Sequence, residues 1–285
     1  MGGEAVINRT ICAARSAWYG VSEPRRLQRE RRANLDGLWR GWTADIDLPV
    51  SVIIPTHNRC KILMERALPS VLDQTYRNIE ILVCAHGCTD DTFTKVLARR
   101  AFDKYFHGES RIRPIYVPRR RTYPPTAENH WYAGPVDPIN AGLKAARGKW
   151  IARIDDDDEW TPDHIEKLLR FAQIGNYEFV SSAYASHDKP YIGPYNVRGQ
   201  KVGGVQTWLY RSYLRFMKAN PDCWRKRWNK VNDTDLQDRM VRAGVRTGYL
   251  PVVTALVNPR PGENVIGLKA YQQNRAETEK RLAFK

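Results

Sequence analysis

Four aspartates in a row, Asp155-Asp156-Asp157-Asp158, with Glu159 behind them, follow directly on the apolar run Trp150–Ile154. Adjacent carboxylates repel one another, so a fold holds them at the end of a strand only where something positive offsets them. In extended chain, residues two apart project to the same side, which pairs Asp155 with Asp157. Hard oxygen donors suit Mg2+ or Mn2+, ions usually held by one or two carboxylates together with substrate phosphates. An exposed acidic loop is the plainer reading of such a run, and position decides between the two.

The surrounding pattern supplies that position. Val50–Ile54, closed by Pro55, is a short β-branched run of the kind that forms a buried strand. Ile79–Cys84, Ile112–Val117 and Trp150–Ile154 repeat it, with helical stretches over 59–73 and from the Thr89–Thr92 cap toward Arg100. Strands alternating with helices predict parallel βαβ units, whose ligands collect at the carboxyl ends of the strands. Pro55–Arg59, His86–Asp91 and Asp155–Asp158 then become three lips of one site. Further on, Thr161 reads as the N-cap of a helix to about Gln173 with Pro162 at its first position. Glu178–Ala185 and Val202–Tyr210 read as strands, and a helix from about Asp233 stops at Ala243-Gly244. The Pro- and aromatic-rich stretch Pro118–Pro138 reads as a functional or mobile loop. Residues 1–48 read as a basic N-terminal arm with a short helix over Pro24–Arg32, Pro24 near its first turn, anchored by Trp39 and Trp42.

Charge speaks to partners rather than to fold. The 285 residues carry 46 Lys+Arg against 31 Asp+Glu, a formal net charge of +15. Such a balance suits a polyanionic partner: nucleic acid, an anionic membrane surface or a phosphorylated substrate. The excess is concentrated in two stretches, 13 basic to 4 acidic residues over Thr92–Arg153 and 9 to 1 over Arg198–Lys230. No apolar run approaches the ~20 residues of a membrane span, which excludes a transmembrane reading. Arg9 and Arg15 bracket the only apolar stretch near the start, so no secretory segment is expected. Five cysteines without a CxxC pair read as reduced thiols of a cytoplasmic protein, with peripheral contact at the inner face of a membrane allowed.

Val50-Ser51-Val52-Ile53-Ile54-Pro55-Thr56-His57-Asn58-Arg59 resembles the opening strand and turn of family 2 glycosyltransferases of the GT-A fold. Ile79–Val83 with Gly87-Cys88-Thr89-Asp90-Asp91-Thr92, Asn140-Ala141-Gly142 with Ala146–Ala152 and the aspartates, and Asn232-Asp233-Thr234-Asp235-Leu236 follow in the family's order. Four motifs in sequence over Pro49–Leu256 are specific where any one alone is weak. The resemblance implies a nucleoside-diphosphate sugar donor (UDP, dTDP or GDP) and Mn2+ or Mg2+ at Asp155 and Asp157. It implies nucleotide-sugar contacts from Pro55, Thr56, Asn58, Arg59, His86, Asn140, Asp155 and Asp156. Asp233 falls on the position of the base for inverting transfer, with Asp235 second and simple helix capping the alternative.

Two departures stand out. Ala85 occupies the place where the family commonly has an acidic contact to the nucleobase, which leaves the base open. Ile139 stands where many members carry Arg. On the acceptor side, Thr207 and Trp208 resemble the strand flanking the family's acceptor cleft, and Trp224-Arg225-Lys226-Arg227-Trp228 interleaves rings with cations, suiting a lipid-diphosphate glycan, a phosphorylated glycan or a nucleic acid strand. A solvated basic helix with buried Trp residues fits the same pattern. Expected organisation is the arm at 1–48, a nucleotide-sugar half at 49–186 and an acceptor half at 187–285, in which Pro259-Arg260-Pro261-Gly262 closes on the donor phosphates. A nucleotidyltransferase would want a glycine-rich loop after its first strand, where this chain has Pro55–Arg59. A nucleic-acid binder, or nucleic acid as the acceptor, is the rival that the charge alone favours.

Overall fold

The computed structural model describes residues 2–34, 49–107, 110–118, 123–225 and 231–283. Strands β1 (Val50–Thr56), β2 (Ile79–His86) and β3 (Ile112–Val117) lie parallel, in the order β3-β2-β1, and β4 (Trp150–Arg153) adds in parallel to the other side of β1. The sheet continues through β10 (Leu209–Arg211), antiparallel to both β4 and β6 (Phe179–Ser186). β11 (Thr247–Val257) runs parallel to β6 and pairs with the short β5 (Asp158–Trp160) at the far edge. β7 (Lys189–Ile192) hangs antiparallel on β6, and β8 (Tyr195–Val197) pairs with β9 (Gln200–Val202) as a separate hairpin.

β1 is buried at every position, as a central parallel strand covered on both faces should be. Alternation then sorts its side chains into two cores. Val50, Val52 and Ile54 join Ile81, Val83 and Trp150 in one of them. That core packs against α2, a helix made of Cys60–Ile62, a π turn at Leu63–Ala67 and Leu68–Leu72, and against α6 (His164–Ile174). Ile53, Leu82 and Ile151 face the other core, with α5 (Val136–Ala145) and α7 (Asn232–Ala243). α3 (Thr92–His107) packs on β3. The sheet thus carries helices on both sides, the α/β layering expected from the pattern.

Two motif glycines owe their identity to close approach. A Cβ at Gly148 would lie 2.6 Å from the Ser51 nitrogen and 2.7 Å from the Pro49 oxygen, where the turn into β4 crosses the start of β1. At Gly142 it would lie 2.6 Å from Ile53 Cγ2. The Gly148 nitrogen also donates to Ser51 Oγ at 2.8 Å, and that hydroxyl donates to Glu80 at 2.6 Å.

Four local expectations are corrected. The N-terminal helix α1 runs from Gly2 to Ala33, with Pro24 in its interior rather than at its start. The stretch 118–138 is not simply a loop, because α4 (Ala127–Ala133) and the start of α5 form within it, Thr126 capping α4 by accepting from the Asn129 nitrogen. At α6 the N-cap is Asp163, and Thr161 instead donates its hydroxyl to that carboxylate at 2.8 Å. Val202–Tyr210 is not one strand: β9 ends at Val202, Gly203-Gly204 breaks the ladder, and a 3-10 turn over Val205–Thr207 precedes β10. Trp39, Trp42 and Lys226–Trp228 lie outside the described residues. α8 (Leu268–Gln273) and α9 (Arg275–Ala283) complete the chain.

Gly148→Ala is expected to destabilise the fold by about 1–3 kcal/mol, because the methyl meets backbone that no rotamer change can move. Urea unfolding of the variant against the parent measures it.

Candidate active site

The strand order reverses beside β1, and the loops after β1, β2 and β4 open there onto a single cleft of about 980 Å3. Pro55, Thr56, Asn58 and Arg59 line it from the end of β1, His86 from β2, Asp155–Asp158 from β4, and Asp233 from the first turn of α7. Nine of the residues singled out from the sequence for donor, metal and base roles therefore share one wall-to-wall space: Pro55, Thr56, Asn58, Arg59, His86, Asp155, Asp156, Asp157 and Asp233.

Asn58 holds a left-handed backbone (φ 51°), which asparagine tolerates better than most residues. Its side chain clamps the turn after β2, accepting from the Thr89 nitrogen at 2.7 Å and donating to Thr89 Oγ1 at 2.9 Å. Thr56 is buried, and its hydroxyl has no hydrogen-bond partner among the described residues. A buried unpaired hydroxyl at a cleft is costly unless a ligand completes it.

The acidic run is held by arginines. Arg59 donates from Nη1 to Asp156 at 2.9 Å and to Asp157 at 3.4 Å, and from Nη2 to the Tyr271 hydroxyl at 2.9 Å. Arg260 lies 3.9 Å from Asp157, donates to Glu263 at 2.7 Å, and sits 4.6 Å over the Tyr271 ring. Arg153 donates to Asp155 at 3.0 Å and to Asn232 Oδ1 at 3.2 Å, while its buried Nε has no partner among the described residues. Arg66 reaches the main-chain oxygens of Asp157 and Pro259 at 3.3 and 3.1 Å. Even so, burial and then the adjacent carboxylates keep Asp158 protonated well above the usual carboxylate range. Burial pushes Asp157 up to about 6 against the pull of Arg59. Burial also raises Asp233, which Arg153 partly offsets.

Five predicted site residues lie elsewhere. Asn140 spends its amide on Ala219, accepting from the nitrogen and donating to the oxygen, each at 3.0 Å. Trp208 is a core residue against Phe179, its indole donating to the Gly203 oxygen at 3.0 Å. The Thr207 hydroxyl is buried and donates to the Gly204 oxygen at 2.7 Å. Arg225 stacks on Trp224, pairs with Asp222 at 3.1 Å and bonds Asn8 of α1, so both residues serve the packing of α1 and not the cleft. Conversely, Arg153, Asn232, Tyr184, Tyr195, Tyr271 and Glu263 line the cleft without having been singled out. For Arg153 the signal was present: four carboxylates demand nearby cations, and it stands two residues before the first. Tyr271 gives no such signal.

A parallel half-sheet thus carries a carboxylate cluster at its switch point, with cations around it and a further carboxylate on a helix at the same cleft. The chain matches glycosyl transferase family 2 over residues 51–220, and it belongs to that family. An uncharacterized glycosyltransferase of Rickettsia conorii is 35% identical over 166 residues, 58% of this chain and 22% of the relative. The Escherichia coli UDP-Glc:alpha-D-GlcNAc-diphosphoundecaprenol beta-1,3-glucosyltransferase WfaP is 32% identical over 135 residues, 47% of this chain and 45% of WfaP. The chain thus spans only about a fifth of the rickettsial relatives and under half of WfaP. Among solved structures, S. aureus TarS 1-349 in complex with UDP-GlcNAc aligns with TM-score 0.56 at 16% identity, over 83% of this chain and 71% of that one. The mannosyltransferase PcManGT of Pyrobaculum calidifontis, in complex with GDP-Man and Mn2+, aligns with TM-score 0.54 at 18% identity, over 86% and 70%. The fold is GT-A.

A carboxyl raised on folding makes the native state bind more protons than the unfolded chain, so its ionisation costs stability as pH rises from about 4 through 6. At pH 7 Asp157→Asn should therefore be more stable than the parent by roughly 3 kcal/mol, an advantage that vanishes near pH 4. Parallel denaturation curves of parent and variant across that range read the difference directly.

Proposed function

We propose that the chain transfers a sugar from a nucleoside-diphosphate sugar to an acceptor hydroxyl, with inversion at the anomeric carbon and with a divalent cation. The observation that carries this reading is the placing of Asp233 in one cleft with Asp155 and Asp157, Arg153 reaching both Asp155 and the neighbour of Asp233.

The donor set fits a hard divalent ion. Asp155 and Asp157 offer oxygen donors to the same cleft, and among the described residues no cluster of three or more His, Cys, Asp or Glu forms a closed cage. Two carboxylates with the rest of the shell left to substrate phosphates and water is how Mg2+ and Mn2+ are usually held. Bound there, the ion would neutralise charge gathering on the departing diphosphate. PcManGT, described with GDP-Man and Mn2+, supports that choice of ion.

The chain's own groups account for the rest. Arg59 and Arg260 both reach Asp157, a carboxylate that the cation would take over, which would release guanidinium nitrogens for phosphate oxygens, the geometry arginine serves best. The Thr56 hydroxyl offers a further donor at the same wall. Asp233 takes the proton of the acceptor hydroxyl as its oxygen bonds to the anomeric carbon; the bond from that carbon to the diphosphate breaks, and the electron pair leaves with the diphosphate. Its raised carboxyl makes it a stronger base than an ordinary aspartate. UDP-glucose, UDP-GlcNAc and GDP-mannose, which appear in the name of WfaP and with the TarS and PcManGT structures, are the donors to try. WfaP, by its name, acts on a lipid diphosphate, and a lipid-linked glycan is the acceptor class that suits this chain's excess of positive charge. No helix among the described residues is long and apolar enough to cross a membrane.

Binding stabilises a protein by RT ln(1+[L]/Kd), so at a hundredfold excess over Kd the true donor should add about 2.7 kcal/mol. A thermal-shift panel of the three sugar nucleotides, with and without Mn2+, should single out one of them with Mn2+ and none with Asp157→Ala. Silence from every donor would end the transferase reading. Asp233→Asn should bind that donor normally yet turn over about 10²–10⁴-fold more slowly. In the parent, turnover should fall as pH drops through the raised Asp233 carboxyl, because the protonated acid accepts no proton.

A further inference from the structure

α1 lies outside the residues matched by the family, as does α7, which carries Asp233. The two helices pack on each other through buried charge. Arg239 of α7 is fully buried and pairs with Glu23 of α1 on one side and with Asp235 of its own helix, at 2.9 Å, on the other. Its remaining nitrogen donates to the Lys218 oxygen, and the Tyr19 ring of α1 lies 4.7 Å beneath the guanidinium.

Stability alone gives little reason for such a cluster, since well-packed apolar residues of similar volume often do as well as a buried ion pair. What the charges add is registry. Residues two apart on a helix lie about 200° around its axis, so Asp235 looks toward α1 while Asp233 looks into the cleft. The Glu23–Arg239–Asp235 chain therefore fixes the rotation of α7 about its own axis. On the cleft side Asn232 accepts from Arg153 and donates to the Tyr132 oxygen at 3.3 Å, which holds the first turn from the front. A carboxylate about 5 Å from the axis moves by about 1 Å for each ~10° of rotation, and a misplacement of that size is enough to cost ~10²-fold in rate.

We propose that α1 belongs to the transfer machinery: through Glu23 and Arg239 it sets where Asp233 meets the acceptor hydroxyl, which makes Glu23 and Arg239 positioning residues. This rests on Asp233 being the base. The experiment is a double-mutant cycle read by release of nucleoside diphosphate from UDP-glucose, UDP-GlcNAc and GDP-mannose with Mn2+, beside calorimetric Kd values for the same probes. Glu23→Gln should lower turnover at least tenfold with donor Kd changed less than about threefold, and should cost nothing further in an Asp233→Asn background, the non-additivity of residues acting through one group. Amide exchange across Asn232–Leu236 should quicken in Glu23→Gln and stay unchanged in Arg15→Ala, which breaks the 2.7 Å pair between α1 and Asp222. Arg15→Ala should also keep parental turnover. Should Glu23→Gln not fold, Arg239→Lys keeps the charge, loses the fork and is read by the same cycle and exchange.

Equal losses from Glu23→Gln with and without Asp233, a donor Kd rising in step with the loss, or unchanged exchange in the first turn of α7 would each overturn the proposal. A parent that neither binds nor turns over any of the three donors fails differently: it removes the transferase reading, and the positioning role with it.

Discussion

The meeting of four aspartates with Arg59, Arg153 and Arg260 is the interaction on which the site depends. Carboxylates at successive positions repel, and the end of a buried strand strips them of water, so both desolvation and like charge act against ionisation. The fold answers with cations drawn from the turn after β1, from β4 itself and from the segment beyond β11. The answer is incomplete, as the raised Asp157 and Asp158 show. A site left short of positive charge is one that a bound cation would relieve, in keeping with the function proposed above.

Much of this could be read from the residues. β1, β2, β3 and β4 were legible because parallel strands buried on both faces show as unbroken apolar runs, and the cleft followed from the rule that ligands gather at their carboxyl ends. What sequence pattern could not resolve was which aromatic rings serve substrate and which serve packing. Trp208 and Trp224 look alike in the sequence, yet Trp208 is sealed in the core and Trp224 is half-buried beneath Arg225 where α1 docks. Ring chemistry is the same in both uses, and only burial tells them apart. Arg59 and Tyr271 meet across more than two hundred residues, a contact to which no local periodicity points.

α1 was underread for a related reason. Its Pro24 suggests a start, because proline in a helix interior removes a hydrogen bond. The helix continues through it, with Leu27 and Cys12 buried, Glu23 paired to Arg239 and Arg31 paired to Glu178. Tertiary contacts on either side of the proline outweigh the local cost, and they involve residues some 150–215 positions away that no window along the chain can contain.

The sheet order has a consequence for how the chain comes to be folded. By Arg153 the strands β3-β2-β1-β4 are all present, yet the free edge of β4 waits for β10, which begins at Leu209. During synthesis at about 5–20 residues per second, that edge stands open for several seconds, its unpaired amides a template for any passing strand. The aspartates sit at the end of this same edge. Arg59 and Arg153 are present by then and only Arg260 from beyond β11 is still to come, so carboxylates not yet enclosed keep that end of the nascent sheet hydrated, a poor surface for another chain to join.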